Sequence, residues 1–493
     1  MPDSPRTLDL GLETRPVRVR IAPSPTGLPH IGTFRTILFN WLFARGRGGA
    51  FIFRIEDTDR ERLVPGATDA LLDAVSWIGL DWDEGPRVGG PFEPYVQSER
   101  LAIYREHVDR LLAEERAYRC YCTTERLDEL RRGQQARKQP PGYDRLCRAL
   151  PARERAEREA AGTPSVVRFA VPPEGSTTFN DVIHGDVTWE NRVLDDFVIL
   201  KSDGYPTYHL AHMVDDRLMS ISHVLRGDEW ISSTPRHVLL YQAFGWEPPV
   251  FAHLPAILGP DRKKLSKRHG PTGIATFQEA GYLPEALLNY LALCGWSSGT
   301  EDEVLSLPEL VERFSLDRVN RTGAIFDHAK LDWFNGIWIR KLPTAELAQR
   351  MRPFLGEAAA GADDATVTAI AGLARERLPT LADARELAEY LLGDRLNYDP
   401  ALLLQRGMTR DQTLKGLTRG AELARGVDPF VTATLEPTYR ALADDLGLKP
   451  VQLFMSIRVA CTGRTASPPL FATMEVLGRE RVVARLREAV ARL

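Results

Sequence analysis

Arg20–Thr33 reads RIAPSPTGLPHIGT, and the fold follows from how that stretch is entered and left. Before it, Val17, Arg18, Val19, Arg20 and Ile21 alternate apolar and basic side chains, the two-residue period of a half-buried strand. Pro23, Pro25 and Pro29, with Gly27 among them, then force a turn. From His30 onward Phe34, Ile37, Leu38, Trp41 and Leu42 recur at helical spacing, which predicts a helix with one buried face. A strand that turns into a helix presents unpaired amide N–H groups and the positive end of the helix dipole, an arrangement suited to phosphate. Gly27 and Gly32 permit close backbone approach, and His30 stands where a ring N–H would meet a phosphate oxygen. The same residues would equally make a structural turn with a surface histidine, because a motif alone is a hypothesis.

Working outward, Phe51–Ile55 is a second strand that ends in Glu56-Asp57-Thr58-Asp59-Arg60. Strand, helix and strand suggest a βαβ unit with a parallel sheet, in which ligands bind beyond the carboxyl ends of the strands. The acids there would hold an amine, a metal or a ribose, or would cap a helix. The pattern returns with a strand over Val224–Trp230, a helix around Thr234–Phe244 and a strand over Phe251–Leu258. The two β–α segments read as halves of one sheet split by an insertion at about 81–190. The expected divisions are an N-terminal extension (1–16), the first half of the sheet (17–80), the insertion (81–190) and the second half (191–258). A basic loop with a helical segment (259–341) and two helical regions (342–400 and 401–493) complete the chain.

Two clusters carry possible chemistry elsewhere. Cys120, Cys122 and Cys147 gather within 28 positions, and Tyr143 lies among them. Three thiolates and a weaker oxygen would suit zinc, yet the pair is C-x-C and no histidine completes the set, so unliganded thiols fit as well. Between them Arg131, Arg132, Arg137, Lys138 and Arg145 form a basic patch, read as a phosphate contact or a solvated face. The second cluster is the Gly259–His269 loop, in which Arg262, Lys263, Lys264, Lys267 and Arg268 form a local anion trap. It lacks Walker spacing, which excludes P-loop chemistry.

Composition sets the outer limits. The 493 residues, 43% hydrophobic and 26% charged, suffice for several domains with real cores. A net charge of −4 gives no field for a polyanion, so nucleic-acid binding has to come from local patches. Five cysteines argue against a disulfide framework. No apolar run is long enough to span a bilayer, and the acidic first 16 residues do not read as a signal or transit peptide. A cytoplasmic protein with no membrane contact is expected.

In order, these segments resemble a known family. RIAPSPTGLPHIGT and the KLSKR of 264–268, with His30 and Lys267 237 positions apart, resemble the HIGH and KMSKS signatures of class I aminoacyl-tRNA synthetases. RIEDTDR at 54–60, KSDGYPTYHLA at 201–211, Met213-Val214-Asp215-Asp216, RGDEW at 226–230 and FDHAKLDWFNG at 326–336 resemble, more narrowly, the bacterial glutamyl-tRNA synthetases. The likeness runs from about residue 17 to the end.

The resemblance implies an α/β fold: a split Rossmann-type parallel-sheet catalytic domain, an inserted α+β domain for the tRNA acceptor end, and an all-α anticodon-binding region. It implies ATP-dependent attachment of L-glutamate to tRNA-Glu through a glutamyl-adenylate, with Mg²⁺ brought by ATP and a monomeric enzyme. His30 and Lys267 become the catalytic pair. Gly32, Thr33, Lys264, Ser266 and Arg268 join them around ATP. Arg20, Ala22, Ser24, Glu56, Tyr208, His212 and Arg226 become the glutamate site, although His212 stands where many members have Asn. Cys120, Cys122, Tyr143 and Cys147 match the zinc site of some members, while others lack the metal. Arg377 falls where discriminating relatives read the third anticodon base. The alternative is a non-discriminating enzyme that also glutamylates tRNA-Gln. More distant rivals are the short paralogue that glutamylates a tRNA base, which lacks the C-terminal helices, and nucleotidyltransferases with HxGH-type turns.

Overall fold

The computed structural model describes residues 16–27, 29–393 and 395–493, with the backbone alone at Lys267. Residues 1–15 of the expected extension, and the Lys267 side chain expected in catalysis, lie outside the described residues. The chain forms two compact units. One runs to Ala275 and includes Leu287–Asp327; the other comprises Thr276–Ala286 and His328–Leu493.

In the first unit the alternating segment becomes β1 (Arg18–Ile21), the helical period becomes α1 (Ile31–Gly46), and β2 (Ala50–Phe53) follows. β1 and β2 run parallel, with Val19 opposite Phe51 and Ile21 opposite Phe53. α1 departs from the one-sided helix expected: Arg35, Phe39, Asn40 and Phe43 are buried along with the apolar stripe. The cause is non-local. Phe39 meets the Phe314 ring edge-on at 5.1 Å, and Asn40 donates to the Leu225 carbonyl at 3.1 Å. Past β2 and α2 (Ala67–Trp77), the turn-rich stretch after Asp81 lies along β2, with Phe53 N–H donating to Glu84 O at 2.8 Å.

The insertion supplies α3 (Leu101–Ala113), β3 (Ala117–Cys120), α4 (Thr124–Ala136), β4 (Val166–Phe169), β5 (Ser176–Asp181) and β6 (Gly185–Glu190), and β7 (Val198–Leu200) follows just past its expected end. β3, β4 and β7 form an antiparallel sheet, and β5 and β6 a hairpin. Then come α5 (Tyr208–Leu218), β8 (His223–Gly227), α6 (Thr234–Ala243) and β9 (Val250–Leu254). β8 and β9 run parallel, with Arg226 opposite His253. Ser222 seams them to β1 by donating its N–H to Arg18 O at 2.9 Å and accepting Arg18 N–H at 2.7 Å. The parallel strands are thereby brought side by side, and β5 joins the far edge with Asp181 opposite Phe251. Ile52, Val224, Val238 and Phe251 fill one core face. Burying one such side chain contributes about 1.5–3 kcal/mol.

The second unit is helical: among the described residues no strand follows Ile325. Its core includes Leu347, Ile370, Leu417, Tyr439, Leu453, Ile457 and Leu486. Small residues let its helices close. A Cβ on Gly416 would stand 2.8 Å from Leu453, and Tyr439 donates to the Gly420 carbonyl at 2.6 Å. On the helix His328–Lys341, Phe334 is fully buried while Trp333 is half-exposed, and the two rings meet edge to face at 5.1 Å. No helix among the described residues is long and apolar enough to cross a membrane.

Candidate active site

The carboxyl ends of β1, β2 and β8 converge on a buried charge network. Arg20 on β1 donates Nε and Nη2 to the two oxygens of Asp216 at 3.1 and 3.3 Å. Arg54, just past β2, donates to Asp216 at 2.8 Å and to Glu56 Oε1 at 2.8 Å. Asp215 takes Arg100 at 2.8 Å, Gln97 at 2.9 Å and the Tyr104 hydroxyl at 2.7 Å. Desolvation works against the charged form of Asp216, yet Arg20 and Arg54 hold its carboxyl well below the usual carboxylate range. Burial pushes the Glu56 carboxyl up, against the pull of Arg54 and Arg20. The network leaves two groups open: among the described residues, Arg20 Nη1 has no acceptor and Glu56 Oε2 no donor.

Arg226 on β8 differs in kind. It is buried, and among the described residues no carboxylate pairs with it. Its Nε donates to His253 Nε2 at 3.1 Å, Nη1 to the Tyr208 hydroxyl at 3.1 Å and His212 Nε2 at 3.4 Å, and Nη2 to Thr234 Oγ1 at 2.8 Å and His237 Nδ1 at 3.2 Å. A guanidinium only donates, so each facing ring nitrogen must accept, which fixes the tautomers. His212 then carries its proton on Nδ1, towards Tyr208 O at 3.1 Å, and His237 on Nε2, towards His209 at 3.0 Å. Burial comes first in keeping these rings neutral. It lowers His212 and His237 well below the ordinary value and His209 to about 4, and Arg226 acts in the same direction on all three. Tyr208 stacks on His212 at 4.5 Å and lies in the fields of Arg226, Glu56 and Arg20 together. Five of the expected glutamate residues, Arg20, Glu56, Tyr208, His212 and Arg226, are thus brought into one neighbourhood. Ala22 and Ser24 lie on the loop above β1, tied down where Pro23 O accepts Glu56 N–H at 3.0 Å. The Ser24 side chain is exposed. The other acids do not cap a helix by side chain: Asp57 accepts Ser98 N–H at 2.8 Å and Asp59 accepts Arg62 at 2.6 Å.

His30 has a more definite role than its motif suggested. It is the N-cap of α1, and its Nδ1 accepts the N–H groups of Gly32 and Thr33 at 3.1 and 3.3 Å. The two amides expected to face phosphate are therefore taken up by the ring, and Nε2 is left as the outward donor. Because Nδ1 accepts two N–H groups the ring proton sits on Nε2, and desolvation, then the Lys264 ammonium, lower the His30 pKa against Glu229. The start of α1 is fastened beyond the basic loop, with Ile31 N–H donating to Thr272 O at 2.9 Å. The loop is folded on itself. Lys264 pairs with Glu229 at 3.3 Å, Arg268 with Asp261 at 3.0 Å, and Ser266 N–H donates to His269 Nδ1 at 3.1 Å. A Cβ on Gly259 would fall 2.8 Å from the His269 ring, so the loop needs glycine there.

In the insertion the donor atoms of Cys120, Cys122 and Cys147 lie within 4.8 Å of one another. The Tyr143 hydroxyl is 3.3 Å from Cys120 Sγ and 3.5 Å from Cys122 Sγ, so all four expected ligands share one site. The Cys147 thiol, with help from Tyr143 and Arg168, lowers Cys120 to about 4, against burial. Of the expected basic patch, Arg131, Arg132, Arg137 and Lys138 are exposed on and just past α4, with Arg131 on Asp128 at 3.1 Å, whereas Arg145 is half-buried and pairs with Asp196 at 3.3 Å. In the second unit Arg377 donates to Ser467 O at 2.8 Å and shares that acceptor with Arg458 at 3.1 Å.

Sequence reasoning did not single out Arg54, Gln97, Arg100, Asp181, Asp215, Thr234, His237 or His253 for the site. Asp215 and Asp216 were quoted in a motif, yet only the fold shows that they share Arg54 while Asp216 alone takes Arg20 and Asp215 alone takes Arg100.

Residues 16–333 match the family described as tRNA synthetases class I (E and Q), catalytic domain, and residues 346–490 match an anticodon binding domain. A glutamate–tRNA ligase of Dehalococcoides mccartyi is 51% identical over 485 residues, covering 97% of this chain and 99% of that protein. One from Acidothermus cellulolyticus is 49% identical, covering 96% and 95%. A solved glutamate tRNA ligase from Elizabethkingia meningosepticum, in complex with its amino acid, superposes with a TM-score of 0.90 at 35% identity, covering 97% of this chain and 99% of that one.

Proposed function

We propose that this chain, which belongs to the class I tRNA synthetases of the E and Q type, is a glutamate–tRNA ligase that makes glutamyl-tRNA from L-glutamate, ATP and tRNA-Glu. The observation that carries the amino-acid specificity is Arg226: a buried guanidinium with neutral partners, beside an open Arg20 Nη1 and an open Glu56 Oε2. Glutamate offers two carboxylates and one ammonium. Arg226 takes the side-chain carboxylate through its Nη1 edge, where Tyr208 and the long His212 contact give way. Glu56 Oε2 accepts from the ammonium, and Arg20 with the Ala22–Ser24 loop steadies the rest.

The α-carboxylate attacks the ATP α-phosphorus, and pyrophosphate leaves with the P–O bonding pair. The terminal ribose hydroxyl of tRNA then attacks the activated carbonyl, its proton is lost, and AMP departs. His30 Nε2–H donates to phosphate oxygens as negative charge grows, with Gly32 and Thr33 holding its ring. Lys267, with Lys264, Ser266 and Arg268, clamps the phosphates once the loop's internal pairs are exchanged. Mg²⁺, brought with ATP as part of that substrate, would neutralise the remaining phosphate charge.

Cys120, Cys122 and Cys147, with Tyr143 as oxygen ligand, would hold a structural zinc ion that fixes the insertion for the tRNA acceptor end. Three thiols and a phenol within contact distance suit that metal. Metal analysis of the purified protein tests this, and full activity without zinc refutes a required site. Arg377 reads the anticodon, in a monomeric cytoplasmic enzyme. The test of the whole reading is charging of purified tRNA-Glu and tRNA-Gln with glutamate side by side. Charging of tRNA-Glu alone is expected; no charging of either refutes the function, and equal charging of both refutes discrimination through Arg377.

A further inference from the structure

Arg226 has no acid in contact, but one stands a single ring behind it. Asp181 ends β5 where the inserted hairpin meets the parallel sheet. Its Oδ2 lies 2.6 Å from His253 Nδ1 and accepts His253 N–H at 3.1 Å. Its Oδ1 accepts from Ile183 and His184 N–H at 3.0 and 2.9 Å. On the far side of the ring, His253 Nε2 accepts Arg226 Nε–H at 3.1 Å and lies 3.1 Å from Thr234 Oγ1. Asp181 and His253 are 1% and 0% exposed, so no water carries this chain.

We infer that Asp181 and His253 are positioning residues for glutamate recognition, holding the Arg226 guanidinium in place and offsetting its charge without occupying the edge that meets substrate. This rests on the reading of Arg226 as the side-chain carboxylate partner. The carboxylate at Nδ1 keeps the His253 proton there, so Nε2 is bare and must accept. That anchors Nε, and with Thr234 and His237 on Nη2 the plane of the guanidinium is set. Nη1, held by the Tyr208 hydroxyl at 3.1 Å and the longer His212 contact at 3.4 Å, is the edge left to turn toward a substrate. A carboxylate in direct contact would do otherwise, as Asp216 does on Arg20, where it fills Nε and Nη2. Burial and Arg226 lower the His253 pKa while Asp181 opposes them, which agrees with a neutral ring between two charges. Because β5 belongs to the inserted segment, that segment contributes to amino-acid selection as well as to tRNA contact.

Steady-state aminoacylation of tRNA-Glu separates this from a structural role. In Asp181→Asn the glutamate KM is expected to rise roughly tenfold, the loss of one charge-assisted interaction, while the ATP KM and kcat change far less. His253→Gln, whose amide can accept from Arg226 and donate to Asp181, should keep most of the affinity that His253→Leu loses. An unchanged glutamate KM in Asp181→Asn, or equal losses for glutamate and ATP, overturns the inference. If Asp181→Asn does not fold, the His253 pair decides, and equal behaviour of Gln and Leu overturns it. Arg226→Ala with an unchanged glutamate KM would instead refute the underlying assignment of Arg226.

Discussion

Arg226→Ala is the most direct probe of the amino-acid site. The substitution has two separable costs. The first is the lost pairing with the substrate carboxylate, a buried charge-assisted contact whose truncation typically costs about 3 kcal/mol or more, roughly a hundredfold in glutamate KM. The second falls on the free protein. Five neutral partners, the Tyr208 and Thr234 hydroxyls and the rings of His212, His237 and His253, lose their donor at once. A buried acceptor left unpaired costs about 1–3 kcal/mol, although water in the vacated space and the relief of desolvating a guanidinium offset part of it. A net loss of a few kcal/mol by urea unfolding follows. Aminoacylation at varied glutamate and saturating ATP, then the converse, reads the first cost. Glutamate KM should rise by about two orders of magnitude, with ATP KM within about threefold. Tyr208→Phe removes one hydroxyl and leaves the guanidinium, so it should cost only about 1 kcal/mol, and in the same substrate. Equal losses for glutamate and ATP would refute the assignment, as would a glutamate KM that does not move.

His30→Asn retains an N-cap acceptor but loses the Nε2–H donor, whereas His30→Ala loses both. Both should lower kcat by roughly 10²–10³-fold, and only the alanine variant should also lose about 1 kcal/mol of stability. A stability loss without a kcat loss would confine His30 to capping. Asp216→Asn leaves Arg20 and Arg54 without their shared carboxylate and should cost about 3–5 kcal/mol in urea unfolding. The folded pKa of His209 is depressed from 6.5 to about 4, so the unfolded chain binds the proton first as pH falls. Stability should hold above pH ~6.5 and fall between ~6.5 and ~4, by at most about 3 kcal/mol from this ring, a slope that His209→Phe should reduce.

The pieces legible in the sequence are those whose signals are local. β1, α1 and β2 follow from a two-residue alternation, a proline-rich turn and a helical apolar stripe, each contained within about a dozen residues. The site residues Arg20, Glu56, Tyr208 and Arg226 came from a resemblance in short motifs. What those side chains contact was not legible, because each partner arrives from far along the chain. Arg20 meets Asp216 across 196 positions, and Asp215 meets Arg100 across 115. Arg35 illustrates the same limit. Its place on a helical wheel gives no hint that it is buried against the carbonyl of Cys294, 259 positions away. His30 differs again: the motif singles out the ring, while its capping of Gly32 and Thr33 depends on a χ angle that spacing does not encode.

The arrangement of charge explains why Arg20, Arg54, Arg100 and Arg226, the buried arginines of the candidate site, are not interchangeable. Arg20, Arg54 and Arg100 face Glu56, Asp215 and Asp216, so that part of the network is electrically balanced before any ligand arrives. Balanced and bidentate, Arg20 can steer a substrate but has little unspent charge with which to capture one. A fully uncompensated Arg226 would capture strongly, yet it would make the empty protein costly to fold, since an isolated buried charge costs several kcal/mol. Asp181, separated by one imidazole ring, lies between those limits. It is near enough to lessen the desolvation cost of the guanidinium and too far to compete with a carboxylate in direct contact at Nη1. Glutamine would place a neutral amide at that edge. Its oxygen can accept the same hydrogen bonds, but it brings no charge to meet the guanidinium, and its amino group turns donor toward donor against Arg226. On the proposed assignment of Arg226, discrimination between the two amino acids rests on the absence, among the described residues, of an acid in contact with it, which is a property of the fold around it.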